Sequence, residues 1–159
     1  MTLAGKHYLA GFIWVAIFVV VYVVLDGQTR PKVAMVGATG EISIPRSRDA
    51  HFYVAGQING QAVTFMVDTG ASTVSVSTDL AKRLGLPSGR QIQVGTANGV
   101  AVGQEVTGQT VTLGDLSIRD VRIVVLEGLR DEALLGQNVL RHLEVVQTSE
   151  RMSLKPRTP

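Results

Sequence analysis

Hydrophobic and polar positions along the chain follow two regimes. From Tyr8 to Leu25, eighteen residues pass without a single charge, and Val, Ile and Phe fall on every face of a helix drawn through them. A helix with no polar side is either buried all round or lodged in lipid. At about 1.5 Å of rise per residue it spans roughly 27 Å, enough for a bilayer core. Tyr8, Trp14 and Tyr22 place rings towards both ends, where interfacial anchors sit. Val23-Val24-Leu25-Asp26 offers no small-x-small cleavage site, so residues 8–25 are read as an uncleaved transmembrane signal anchor behind a tail of residues 1–7. A buried core helix is the plainer alternative.

Residues 26–50 mix Gly, Pro, Thr, Ser and charge with one brief apolar interlude, Val33 to Val36, and read as a linker. The second regime starts at His51, where apolar residues recur at short spacing between turn signals. His51 to Ile58, then Asn59-Gly60, then Gln61 to Val67 predicts a β-hairpin, because Asn-Gly favours a tight turn with φ > 0 at both positions. Ser72 to Ser77 is a further β-rich run. Ser77 then caps a short helix through Leu84, with Asp79 in its first turn, Lys82 and Arg83 in its last, and Gly85 at its end. Strands are expected at 91–97, 100–107, 109–113 and 116–126, with turns at Asn98-Gly99 and Gly114-Asp115. A second short helix near 138–143 precedes strands at 144–147 and 152–155. Short strands at close spacing with little helix predict an all-β barrel or sandwich over residues 51–155.

Composition narrows the chemistry mainly by exclusion. The net charge is +2 and the basic residues are scattered without interleaved aromatics, so nucleic-acid binding has little support. His7, His51 and His142 stand far apart without ligand spacing, and no metal site or cofactor is expected. Gly37-Ala38-Thr39-Gly40 lacks the lysine of a phosphate loop. The absence of cysteine leaves the compartment open. Ser72 and Ser75 have no histidine in a suggestive relation to them, which argues against a serine nucleophile.

One feature carries chemistry. Asp68-Thr69-Gly70-Ala71-Ser72 follows directly on the apolar arm Val63 to Val67 and occurs once. A carboxylate at the end of a buried strand, beside a hydroxyl and a glycine that brings backbone N–H groups close, suits the activation of a water. Asp, Thr and Gly are also ordinary turn residues, so the tripeptide alone marks no more than a strand-ending turn.

The ordered set of motifs is more specific. Asp68-Thr69-Gly70 with its apolar approach resembles the active-site loop of aspartic proteases. Val94-Gly95-Thr96-Ala97-Asn98-Gly99 lies where that family carries its substrate-covering flap, although Asn98-Gly99 is at least a hairpin tip in any case. Leu134-Leu135-Gly136 resembles the pair of hydrophobic residues and glycine that packs beneath the catalytic loop, and is assigned a structural role. Together, over roughly residues 51–155, these resemble the retropepsin-like (clan AA) proteases, most closely the bacterial group tethered by one N-terminal membrane helix. Gln137-Asn138 departs from viral relatives, which carry a charged residue there.

The resemblance implies a closed retropepsin-like β-barrel with one or two short helices. It also implies catalysis by Asp68, an active-site loop of Thr69, Gly70 and Ala71, and a flap of Thr96, Ala97, Asn98 and Gly99 that meets a peptide substrate. This chemistry uses two carboxylates that share one proton, and the chain has one such loop, so a homodimer is implied, with no metal or cofactor. Lys and Arg counts on the two sides of residues 8–25 do not fix orientation. The family implies a bacterial inner-membrane protein with its protease domain in the periplasm. A different class of function, a catalytically inactive module of the same fold that dimerises or binds extended peptides, is the alternative.

Overall fold

The computed structural model describes residues 12–23, 34–36, 40–96, 99–129 and 133–157. The chain divides into two units, residues 1–31 and 32–159. In the first, residues 12–23 form helix α1, and each of its side chains is exposed. Among the described residues no helix is long and apolar enough to cross a membrane. The tail 1–7, the remaining ends of the expected 8–25 span and the start of the linker lie outside the described residues.

Among its described residues the second unit has eleven strands and two short helices. In chain order these are β1 (Met35–Val36), β2 (Ile42–Pro45), β3 (Tyr53–Ile58), β4 (Gln61–Val67), β5 (Val74–Ser77), α2 (Thr78–Arg83), β6 (Arg90–Thr96), β7 (Gly99–Leu113), β8 (Leu116–Leu126), β9 (Ala133–Leu135), α3 (Gln137–Leu140), β10 (Leu143–Gln147) and β11 (Arg151–Pro156). Strand order β3-β4-β9-β5-β8-β7, with β7 pairing back onto β3, closes a six-stranded barrel, and β6 extends it as the outer arm of a hairpin with β7. A second sheet has the order β1-β2-β11-β10.

The period-2 pattern puts one face of each barrel strand inside. On β4, Val63, Phe65 and Val67 are buried while Ala62 and Thr64 are exposed. They join Val54 and Ile58 of β3, Val74 and Val76 of β5, Val111 and Leu113 of β7, and Ile123 of β8 in one core. Closure needs a glycine: a Cβ on Gly56 would lie 2.6 Å from the Thr112 carbonyl oxygen and 2.7 Å from Leu113. The turn at Asn59 and Gly60 has φ of 50° and 81°, the geometry that the Asn-Gly pair predicts. Ser77 caps α2, its hydroxyl accepting from the Leu80 N–H at 3.1 Å.

Three expectations are corrected. Part of the stretch read as linker is sheet: β2 pairs antiparallel with β11, and Ile42 and Ile44 are 3% and 0% exposed. Four residues with two polar positions are too short to stand out by periodicity. The strands expected at 100–107 and 109–113 are one strand, because Gly108 (φ 74°) forms a bulge instead of a break. The second helix covers Gln137–Leu140 and not 138–143, and Leu143 already opens β10, where it is 1% exposed.

Candidate active site

Asp68 leaves the barrel at the end of β4, and its own strand sets its position. Val67 pairs with Leu135 in the parallel β4–β9 ladder, and the Asp68 N–H donates to the Leu135 carbonyl at 3.1 Å. The chain then turns on itself. The Gly70 N–H donates to Asp68 Oδ1 at 2.9 Å, and the Ala71 N–H donates to the Asp68 carbonyl at 3.3 Å. A Cβ on Gly70 would stand 3.3 Å from Asp68 Oδ1, so this residue stays small to let the backbone donor approach. The carboxylate is half-buried: one oxygen is engaged by the loop it belongs to, and Thr69 and Gly70 are exposed beside it.

The segment after β9 braces this loop from behind. The Gln137 N–H donates to the Ala71 carbonyl at 2.8 Å, and its side-chain amide donates to the Thr69 carbonyl at 2.9 Å. The Asn138 N–H donates to the Ser72 carbonyl at 3.1 Å. Asn138 Oδ1 accepts from the Val74 N–H at 2.9 Å, and its Nδ2 donates to the Arg122 carbonyl at 2.8 Å. Gly136 makes the approach possible, because a Cβ there would overlap the backbone of Thr73. Four hydrogen bonds to two adjacent residues thus hold the path from Thr69 to Val74, and a fifth ties Asn138 to β8 at Arg122. The sequence flagged Gln137-Asn138 only as a departure in charge. Their role was missed because the loop they brace lies about 68 positions earlier in the chain.

Thr96 and Gly99 sit in a different element, at the end of the β6–β7 hairpin, where they pair and the Thr96 hydroxyl donates to the Gly99 carbonyl at 2.8 Å. Ala97 and Asn98 lie outside the described residues. The arm is built to stand clear of the barrel. β7 joins β8 only from Gly103, which pairs with Leu126, so Gly99–Val102 have β6 as their sole partner strand among the described residues. Val100 and Val102 on this arm are 75% and 63% exposed. Exposed apolar side chains on a two-stranded projection suit contact with an apolar or extended ligand. Leu134 and Leu135 lie in β9 next to β4, with Leu135 fully buried, which is the structural role read for them. Among the described residues no three His, Cys, Asp or Glu side chains are grouped to hold a metal ion.

A family model described as "gag-polyprotein putative aspartyl protease" matches residues 54–142. The chain is 30% identical over 111 residues to an uncharacterized protein in the cobV 5′ region of Sinorhizobium sp, covering 67% of this chain and 48% of that protein. It is 32% identical over 108 residues to an uncharacterized protein of Rickettsia prowazekii (strain Madrid E), covering 66% and 46%. The chain therefore spans about half the length of the curated relatives it matches. The crystal structure of a retropepsin-like aspartic protease from Rickettsia conorii superposes with a TM-score of 0.61 at 29% identity, over 72% of this chain and 88% of that one.

Proposed function

From a chain that belongs to the retropepsin-like aspartic protease family, we propose an aspartic endopeptidase that works as a homodimer, with one Asp68 from each chain in a single site. The observation that carries this reading is the bracing of Asp68: a carboxylate at a strand end, aimed by the Gly70 N–H and backed by Gln137 and Asn138. Rigid positioning of a reacting group is what catalysis needs from a scaffold. The chain holds one Asp-Thr-Gly loop, and two-fold symmetry is the shortest route to two carboxylates.

In this reading the two carboxyl groups share one proton. The ionised one takes a proton from a water, which attacks the scissile carbonyl carbon. The neutral one donates its proton to the carbonyl oxygen as the tetrahedral intermediate forms. Breakdown returns a proton to the leaving amine and restores the shared-proton state. The β6–β7 arm, with Thr96 to Gly99 at its end, closes over the peptide and excludes water.

Residues 8–25 serve as a membrane anchor in the same proposal, which places the protein in a bacterial inner membrane with the protease domain in the periplasm. Support comes from the uncharged run and from α1, whose apolar side chains are exposed on every face.

The test is Asp68→Asn with subunit mixing. The amide keeps the shape and cannot accept a proton, so cleavage of a peptide library should vanish while the circular dichroism spectrum is retained. Wild-type chains mixed with excess Asp68→Asn chains should lose activity through inactive heterodimers. An Asp68→Asn enzyme that cleaves as the wild type does, or wild-type activity untouched by mixing, rejects the shared dyad.

A further inference from the structure

A pocket of about 180 Å³ lies between β8 and α3, outside the Asp68 loop. It is lined by Arg119, Asp120, Arg122, Asn138, Arg141 and His142, with Ile118 and Val121 contributing apolar wall. The lining thus holds three arginines and one carboxylate. Among the described residues, Arg122 is the one lining arginine with an ion pair, to Glu105 at 3.7 Å, and Glu105 is held more closely by Arg90 at 3.0 Å. Among the described residues neither Arg119 nor Arg141 has a carboxylate within ion-pair distance. Arg141 donates through Nε to His142 Nε2 at 3.3 Å, which places the histidine lone pair on a cation.

The backbone is distorted to produce this cluster. Val121 pairs with Gln109 and Ile118 with Val111, so Arg119 and Asp120 together oppose the single residue Thr110. That is a β-bulge, and Asp120 takes the left-handed conformation in it (φ 58°). In a regular strand residues three apart point to opposite faces. The extra residue brings Arg119 and Arg122 to the same one, next to Arg141 from the end of α3. A conformation of this kind in a non-glycine residue is uncommon and concentrates at sites of function.

We propose that this pocket binds a phosphate-class oxyanion. Guanidinium groups recognise such an anion through paired, charge-assisted N–H donors, and three arginines line this pocket, which has room for more than one water-sized group. The anion is either free in solution or carried on a lipid headgroup. Asn138 links the pocket to the active-site loop, because its side chain bonds both the Arg122 carbonyl and the Val74 N–H. The proposal does not depend on catalysis.

The full chain in neutral detergent micelles, titrated calorimetrically with inorganic phosphate, should bind it saturably at one site per chain. Arg119→Gln combined with Arg141→Gln should weaken binding by about tenfold or more, since two charge-assisted donors are lost. Asp120→Asn should tighten it about threefold by removing the facing negative charge, and damage to the fold would give the opposite sign. Reconstitution distinguishes the two sources. Uptake of free phosphate in phosphatidylcholine nanodiscs that disappears in phosphatidylglycerol nanodiscs identifies the headgroup; equal uptake in both identifies the free ion. Heat that never saturates, a double variant that binds as the wild type does, an Asp120→Asn chain that binds no tighter, or a glutamate-rich peptide preferred over phosphate overturns the proposal.

Discussion

At the scale of single residues, the second unit relies on polar atoms placed where the backbone needs them. Asn138 satisfies three partners with one side chain and one N–H, and Gly136 is defined by the Thr73 backbone it must pass. Asp49 shows the same economy in the approach to β3. The Tyr53 hydroxyl donates to its Oδ2 at 2.7 Å and the His51 N–H to its Oδ1 at 3.1 Å. The tyrosine bond, with smaller contributions from His51, holds the Asp49 carboxyl below its ordinary value against the opposing effect of burial. A carboxylate with a depressed folded-state pKa contributes stability that is present above the ordinary value and lost as pH falls through the lowered one. Tyr53→Phe should therefore lower the urea midpoint only modestly at pH 6, by less than about 1 kcal/mol, because solvent screens a half-exposed carboxylate. The deficit should shrink when the same comparison is made well below pH 3.8, where Asp49 is protonated in both states. A deficit that stays constant across that range would show that Tyr53 acts through packing alone.

At the scale of elements, the two sheets depend on strands far apart in sequence. β2 joins the far end of the chain by pairing with β11, where Ile44 stands beside Met152 and Ile42 beside Leu154, all four buried. The Arg151 side chain adds a bond to Ser43 Oγ at 2.6 Å. A chain begun at His51, as the sequence boundary suggests, deletes both isoleucines and opens an edge of β11. Loss of two fully buried isoleucines is worth about 4 kcal/mol or more, a large part of the stability of a domain this size. Residues 51–159 should thus unfold at much lower urea than residues 32–159, or aggregate through the bared strand. Equal midpoints would show that β2 is dispensable. The β6–β7 arm is the contrasting case, with its end paired to one neighbour and its valines in solvent. An element with few buried contacts is the kind that moves at low cost.

At the scale of the whole molecule, the proposed site exists only where two chains meet, so activity should follow mass action. Specific activity of the detergent-solubilised chain should fall on dilution through the dimer dissociation constant, and analytical ultracentrifugation should place the monomer–dimer midpoint at the same concentration. Confinement to a membrane raises effective concentration, so reconstituted protein should stay active at bulk dilutions that silence it in micelles. Rate should fall on both sides of an optimum pH. With both carboxyl groups protonated no base remains, and with both ionised no acid does, so the two limbs belong to the pair. Flat specific activity with a monomeric mass throughout, or a rate that rises without turning up to pH 9, would exclude the dyad.

What the sequence determined by itself is local. The Asn59-Gly60 turn, the Ser77 cap, the alternation of β4 and the Asp68-Thr69-Gly70 loop at its end all follow from residues within a few positions of one another, where dihedral preference and side-chain period act directly. What only the tertiary structure decided is which distant segments meet. Closure of the barrel at Gly56, the recruitment of Ile42 and Ile44, and the bracing of the loop by Gln137 and Asn138 each join positions tens of residues apart. The bulge that turns Arg119 and Arg122 to one face is a difference in count between two strands, which appears only once β7 and β8 are in register. Pairing between remote strands is selected by the fit of the whole core, and no short window of sequence contains both partners.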